Sequence, residues 1–361
     1  MTGKLRTMKP FLPARFAPAL AAIALAAVLA GCGPEAPAPY VPPPPPPPPP
    51  PITLAPSLIQ EASAWRGYMA RANAISPDFK NGEEIQVSLR TAAAYEPKQF
   101  LRGAVAYAAI VALQDPVFVA ELRKVAADPA KRIAMRDQLI SNPNMATILP
   151  GAESAAGLVL QALGNEGARM VVNGRAVKQS AYSVQHSAWS KIAVPNREAR
   201  LIAAKSLSAT PMTGEAADVM LMQQASTGPT AATPLGLTPG AAPPPWSPLV
   251  VRGLTLAALA AIGEAGEENL AAITTLSAEP NAAYCLNMAK LNLYQCLAVS
   301  KPHYEDIFCM GQHILIDTGA CMVKWSGATM PPEPIRPVVA PAPARKSTAA
   351  AAPAKKPPVR R

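Results

Sequence analysis

Between Leu54 and Ser76 apolar residues fall at Leu58, Ala62, Trp65, Met69 and Ala72, spacings of three and four that put one apolar stripe on one helix. Similar stripes recur down the chain to about residue 329. No run sustains a period of two, and β-branched residues rarely cluster, so the pattern predicts an all-α, multi-helix fold. Prolines punctuate it. Pro97, Pro116, Pro129, Pro195, Pro280 and Pro302 stand where a helix can start, because a first turn needs no donor there. Asp115-Pro116, Asp128-Pro129 and Asn142-Pro143 have the form of a cap followed by a first-turn proline. The longest stretch without proline, Gly151 to Val194, would extend about 65 Å as one helix, with Gly164, Gly167 and Gly174 as the places expected to bend or break it.

The stripes stop once inside the chain. Ser226 to Ser247 has no periodicity, and so long a loop inside a compact domain needs a reason. The simplest organisation is a helical domain over 54–225, a Pro-rich linker or loop over 226–247, and a second helical module over 248–329. An Ω-like loop presenting Trp246 as an exposed contact is the other reading. No internal repeat marks a solenoid.

Composition changes the picture at the ends. Of 43 prolines, 14 lie between residues 33 and 56, including the unbroken run Pro42 to Pro51, and 9 lie beyond residue 330. Ten prolines in polyproline II extend about 31 Å, so residues 32–53 form a stiff spacer. The net charge of +10 is also terminal: Lys4, Arg6, Lys9 and Arg15 have no acid among them, seven bases after residue 330 face the single Glu333, and the residues between are neutral. A basic protein of this pI suggests nucleic acid, but with a neutral body that partner is excluded. The 330–361 segment alternates Ala, Pro and basic residues with too little apolar content to fold, and its charge suits acidic envelope polymers such as lipopolysaccharide or peptidoglycan.

The first 31 residues read as a signal peptide: the four basic residues precede an apolar run, Ala19 to Ala30, too short for an ordinary bilayer span. At its end stand Leu29, Ala30, Gly31 and Cys32, and this string resembles the lipobox of bacterial lipoproteins at all four positions. The resemblance implies cleavage before Cys32, acylation of its sulfur with palmitate-class chains, and anchoring of the chain in a membrane through that residue. Gly33, where the enterobacterial sorting pattern would have Asp for inner-membrane retention, implies the outer membrane, facing the periplasm.

Cys285, Cys296, Cys309 and Cys321 are the remaining cysteines, even in number and in a compartment that favours bridges. Residues 285 and 296 would be about 16 Å apart on one helix, beyond the roughly 7 Å that a disulfide spans between Cα atoms. In an antiparallel hairpin, pairing Cys285 with Cys321 and Cys296 with Cys309 centres both pairs on residues 302–303, where Lys301-Pro302-His303 stands; the crossed pairing has no common centre. The arrangement is similar to the twin-cysteine helical hairpins of mitochondrial intermembrane-space proteins. One mismatch remains, since 12 residues on an ideal helix leave Cys309 and Cys321 about 120° apart; Gly319 is the residue expected to loosen that turn.

Catalytic side chains are scarce. His186, His303 and His313 sit in no nucleophile motif, and although His303 and His313 flank Cys309, no Cys-x-x-Cys spacing supports a metal. Gly157 to Gln161 resembles the Gly-Leu-Met-Gln turn of lytic transglycosylases, but Leu160 is inserted and Leu139-Ile140-Ser141 stands where that family has its Glu-Ser pair, so the general acid is missing. Phosphate loops and dinucleotide fingerprints are absent, and a pocket lined by Met212, Met220 and Met222 is no better founded than a Met-containing core. The reading is therefore a lipid-anchored envelope scaffold or binding protein without cofactor, contacting peptidoglycan, lipopolysaccharide or another envelope protein. The alternative is a glycan-cleaving, peptidoglycan-modifying enzyme working with Glu153 or Glu166.

Overall fold

The computed structural model describes residues 48–230, 235–238 and 240–333, so the leader, Cys32 and most of the basic segment lie outside the described residues. Helices succeed one another in the order α1 (Pro56–Asn73), α2 (Gly82–Ala93), α3 (Pro97–Ala112), α4 (Pro116–Ala126), α5 (Pro129–Ser141), α6 (Ala152–Val184), α7 (Arg197–Ala209) and α8 (Ala216–Ala225). After the Pro-rich segment come α9 (Pro248–Ala261), α10 (Leu270–Ser277), α11 (Pro280–Val299), α12 (His303–Cys309) and α13 (Asp317–Ser326), with no strand among the described residues.

Proline and acid together set most helix starts. Pro97, Pro116, Pro129 and Pro280 open helices whose first amides are taken by the carboxylates of Glu96, Asp115, Asp128 and Glu279. Asn142 caps in the same way, but the helix it opens is the short 3-10 turn Pro143–Ile148. Pro195 departs from expectation. The Val194 amide donates to the Lys301 carbonyl at 2.8 Å, Ala193 bridges to Pro302, and Asn196 is left-handed, so α7 begins only at Arg197.

The core is a single cluster to which helices on both sides of the Pro-rich segment contribute. Between α1 and α3 it is aromatic: Trp65 stacks on Tyr107 at 4.7 Å, and Tyr68, Tyr95 and Phe100 meet edge-on or tilted at 5.0–5.6 Å. Pro49 and Pro50 are fastened to this body. The Arg123 guanidinium donates to both of their carbonyls, and the Ala55 amide donates to the Ala265 carbonyl at 2.7 Å. At the other end Arg175 of α6 donates to the carbonyls of Pro331 and Pro332, each at 2.8 Å.

α6 runs unbroken for 33 residues, about 50 Å. Its glycines neither bend nor break it; they let a second helix lie against its backbone. A Cβ on Gly167 would sit 3.0 Å from the Gly319 carbonyl oxygen, and one on Gly319 would sit 2.9 Å from that of Gly167. Further along, a Cβ on Gly174 would fall 2.8 Å from the Ile316 amide, and one on Gly311 would fall 2.6 Å from the Lys178 amide. The expectation that these glycines interrupt the helix is corrected: their missing side chains shape its surface and leave its hydrogen bonds intact.

Both disulfides have the pairing that antiparallel arithmetic selects, Cys285–Cys321 and Cys296–Cys309, with Cα separations of 6.0 and 5.6 Å. The 120° mismatch is removed by a device the sequence did not announce. Met310–Ile316, between the two cysteines of the second arm, is a seven-residue π-helix. A turn closed i→i+5 advances roughly 80–85° per residue against 100° for α, so seven residues shed roughly 105–140° and bring Cys321 back beneath Cys309. Gly319 does not supply the slack; it is spent on Gly167.

Candidate functional site

The stapled second arm delivers two polar residues, Asp306 and His303, to the neighbouring helices. Asp306, fully buried on α12, accepts from the Arg200 guanidinium, from Gln86 Nε2 at 3.0 Å and from Ser300 Oγ at 2.9 Å. Arg200 on α7 spends its second terminal nitrogen on the Leu297 carbonyl, the last turn of the first arm. α2, α7 and the hairpin are thus joined through one carboxylate. His303, 9% exposed, lays its ring over Gly82 at the start of α2, where a Cβ would come within 2.3 Å of the imidazole.

α2 and α7 run parallel here. The His303 amide donates to the Ile192 carbonyl beside the N-terminal ends, and Ser208 Oγ donates to the Ala93 carbonyl where the C-terminal ends close together. The walls part between these points around a cavity of about 630 Å³. Its α7 wall is low because Ala199, Ala203 and Ala204 face it, and its α2 wall carries Glu83, Gln86 and Arg90. Two buried polar atoms of lining residues, Arg200 Nε and His303 Nδ1, have no hydrogen-bond partner among the described residues. Such atoms are uncommon in folded proteins, because each forgoes about 1–3 kcal/mol of hydration.

Behind the closed end lies Lys290 of α11, fully buried. Its ammonium donates to the Ala93 carbonyl at 2.6 Å and to Ser208 Oγ at 2.9 Å, and stands 3.5 Å from the centre of the Tyr95 ring. Burial drives its pKa well below the usual lysine value, against an opposing pull from Glu96. As pH falls below about 10.5 the unfolded chain takes up this proton before the folded one, so stability declines by about 1.4 kcal/mol per pH unit until the folded-state value is passed. Lys290→Met is expected to flatten that slope in urea unfolding monitored between pH 6 and 10; an unchanged slope would show that Lys290 is not its source.

A second cleft, of about 1150 Å³, runs along α6 and contains Glu166. Glu166 accepts from Asn73 Nδ2 at 3.1 Å and pairs with Arg169; Asn173 and Tyr107 also line the cleft. The Tyr107 hydroxyl is pushed up to about 12, first by burial and then by the Glu166 charge. Glu166 is the one carboxylate lining this cleft among the described residues, whereas glycan cleavage ordinarily employs two. Glu153 lies apart from it, exposed in the first turn of α6.

Other candidates are dispersed. His186 is exposed, and His313 Nδ1 meets Asp317 Oδ2 at 3.1 Å. Cys309 between the histidines is bonded to Cys296, and no group of three potential metal ligands gathers among the described residues. Met212 and Met222 are buried in the core while Met220 is 71% exposed, so the three form no pocket. Trp246 packs half-buried on the core and donates to the Ala242 carbonyl at 3.1 Å, which corrects its reading as an exposed contact. Arg200, Asp306 and Lys290 stand in no sequence motif. Their signal was available only as charges set within buried helix faces, Lys290 between Leu286, Ala289 and Leu293 and Asp306 beside Ile307. No family model matches the chain, and no curated protein or solved structure matches it.

Proposed function

We propose that the chain is a lipid-anchored lipoprotein of the bacterial envelope, at the outer membrane facing the periplasm, whose helical body is a non-catalytic binding module. The observation that carries the reading is the state of the cysteines: the four beyond Cys32 are all consumed in two disulfides, the usage of an oxidising compartment, and Cys32 alone stands in a lipobox-like string. The proline run fits a spacer fixed at one end, since Arg123 holds Pro49 and Pro50 against the body. The basic segment after residue 330 is assigned to acidic envelope polymer, peptidoglycan or lipopolysaccharide.

The wild-type protein is expected to incorporate labelled palmitate and sediment with membranes, and Cys32→Ala to do neither. Palmitate-free wild type, or a variant still held in the membrane, would exclude acyl anchoring. Removing residues 334–361 is expected to abolish retention on purified peptidoglycan sacculi; undiminished retention would move that contact to the helical body.

A further inference from the structure

We infer that the cavity between α2 and α7 is a binding site for a short peptide of about three small residues with both termini free. The inference deepens the reading of the body as a binding module, and its chemistry does not depend on where the protein is anchored.

Three observations point to this ligand. The first is a pair of opposite charges without partners. Glu83 and Arg90 both line the cavity, both are exposed, and neither side chain has a hydrogen bond or ion pair with the described residues. Their Cα atoms are seven residues apart on α2, about 10 Å along its axis. An extended tripeptide spans about 10–11 Å, so its ammonium reaches Glu83 while its carboxylate reaches Arg90.

The second is the groove between the charges. Gln86 gives its Nε2 to Asp306 and keeps its carbonyl oxygen for a donor. Arg200 and His303 line the same space, 7% and 9% exposed, with their unpartnered nitrogens buried beneath its floor. A peptide N–H can donate to that Gln86 oxygen, which a simple fatty or aromatic acid cannot. The third is the opposing wall. Ala199, Ala203 and Ala204 of α7, facing Leu89 of α2, leave a shallow apolar surface that suits methyl-sized side chains.

The test is calorimetric titration of the detergent-solubilised full-length protein with Ala-Ala-Ala, its N-acetyl derivative and its C-terminal amide. The wild type is expected to bind the free tripeptide about five- to tenfold more tightly than either blocked form. Arg90→Gln is expected to erase the discrimination against the amide and keep that against the N-acetyl form; Glu83→Gln is expected to do the converse. Both positions are exposed, so neither change threatens the fold. Equal binding of all three peptides by the wild type, no binding of any, or loss of both discriminations in each variant would overturn the proposal. None of these outcomes bears on palmitate labelling or membrane sedimentation, so failure here leaves the anchoring proposal standing.

Discussion

Arg200→Met will destabilise the folded protein by about 3–5 kcal/mol, the cost of leaving a buried carboxylate without its counter-charge. Asp306 is wholly buried, and its remaining donors, Gln86 and Ser300, are neutral. Lysine should rescue little, because the guanidinium serves two acceptors at once, the Asp306 carboxylate and the Leu297 carbonyl, through separate nitrogens. Arg200→Met combined with Asp306→Leu should recover most of the loss, since apolar pairs of similar volume often replace buried ion pairs without penalty. Urea unfolding of the two variants decides the matter. Equal losses in the single and the double variant would mean that packing around Arg200, and not the stranded charge, sets the cost.

Reducing both disulfides should lower the melting temperature by about 15–25 °C, at about 2–4 °C per kcal/mol for a body of this size. The larger share belongs to Cys285–Cys321, which closes 36 residues and on chain entropy contributes about 4 kcal/mol; Cys296–Cys309 closes 13 and contributes about 3. Alanine pairs separate them without burying a hydroxyl where Cys309 and Cys321 lie in the core. Thermal melts of the oxidised, reduced and two Ala-pair proteins give the comparison. A drop under about 5 °C on full reduction would mean that the glycine-faced packing of α13 on α6 holds the hairpin unaided.

Helix starts were legible because proline and a capping acid are local signals, as at Asp115-Pro116 and Asp128-Pro129. The disulfide pairing was legible because an antiparallel hairpin imposes a common centre on its contacts. Gly167 and Gly174 were misread because a glycine that interrupts a helix and one that admits a neighbouring backbone look alike until the neighbour is known. The Arg200–Asp306 network was hidden for another reason: its members are 106 residues apart, and nothing in either local pattern names the other. The cavity was invisible for the same cause, since Glu83 and Arg90 read as an ordinary solvated face of α2 until α7 lies opposite them.

The π segment has a further meaning when the two hairpin arms are compared by length. The cysteines of the first arm are 11 residues apart and those of the second 12, yet the two arms pair at both positions. An α-helical spacing of 11 is within about 20° of three full turns, so the second arm corresponds to the first with one residue inserted. The widened turn of Met310–Ile316 absorbs that residue locally. His303 and Asp306 on one side of it and Cys321 on the other keep the phase they would have in an uninterrupted helix, and the cavity-facing end of the arm is insulated from a change in chain length at its middle.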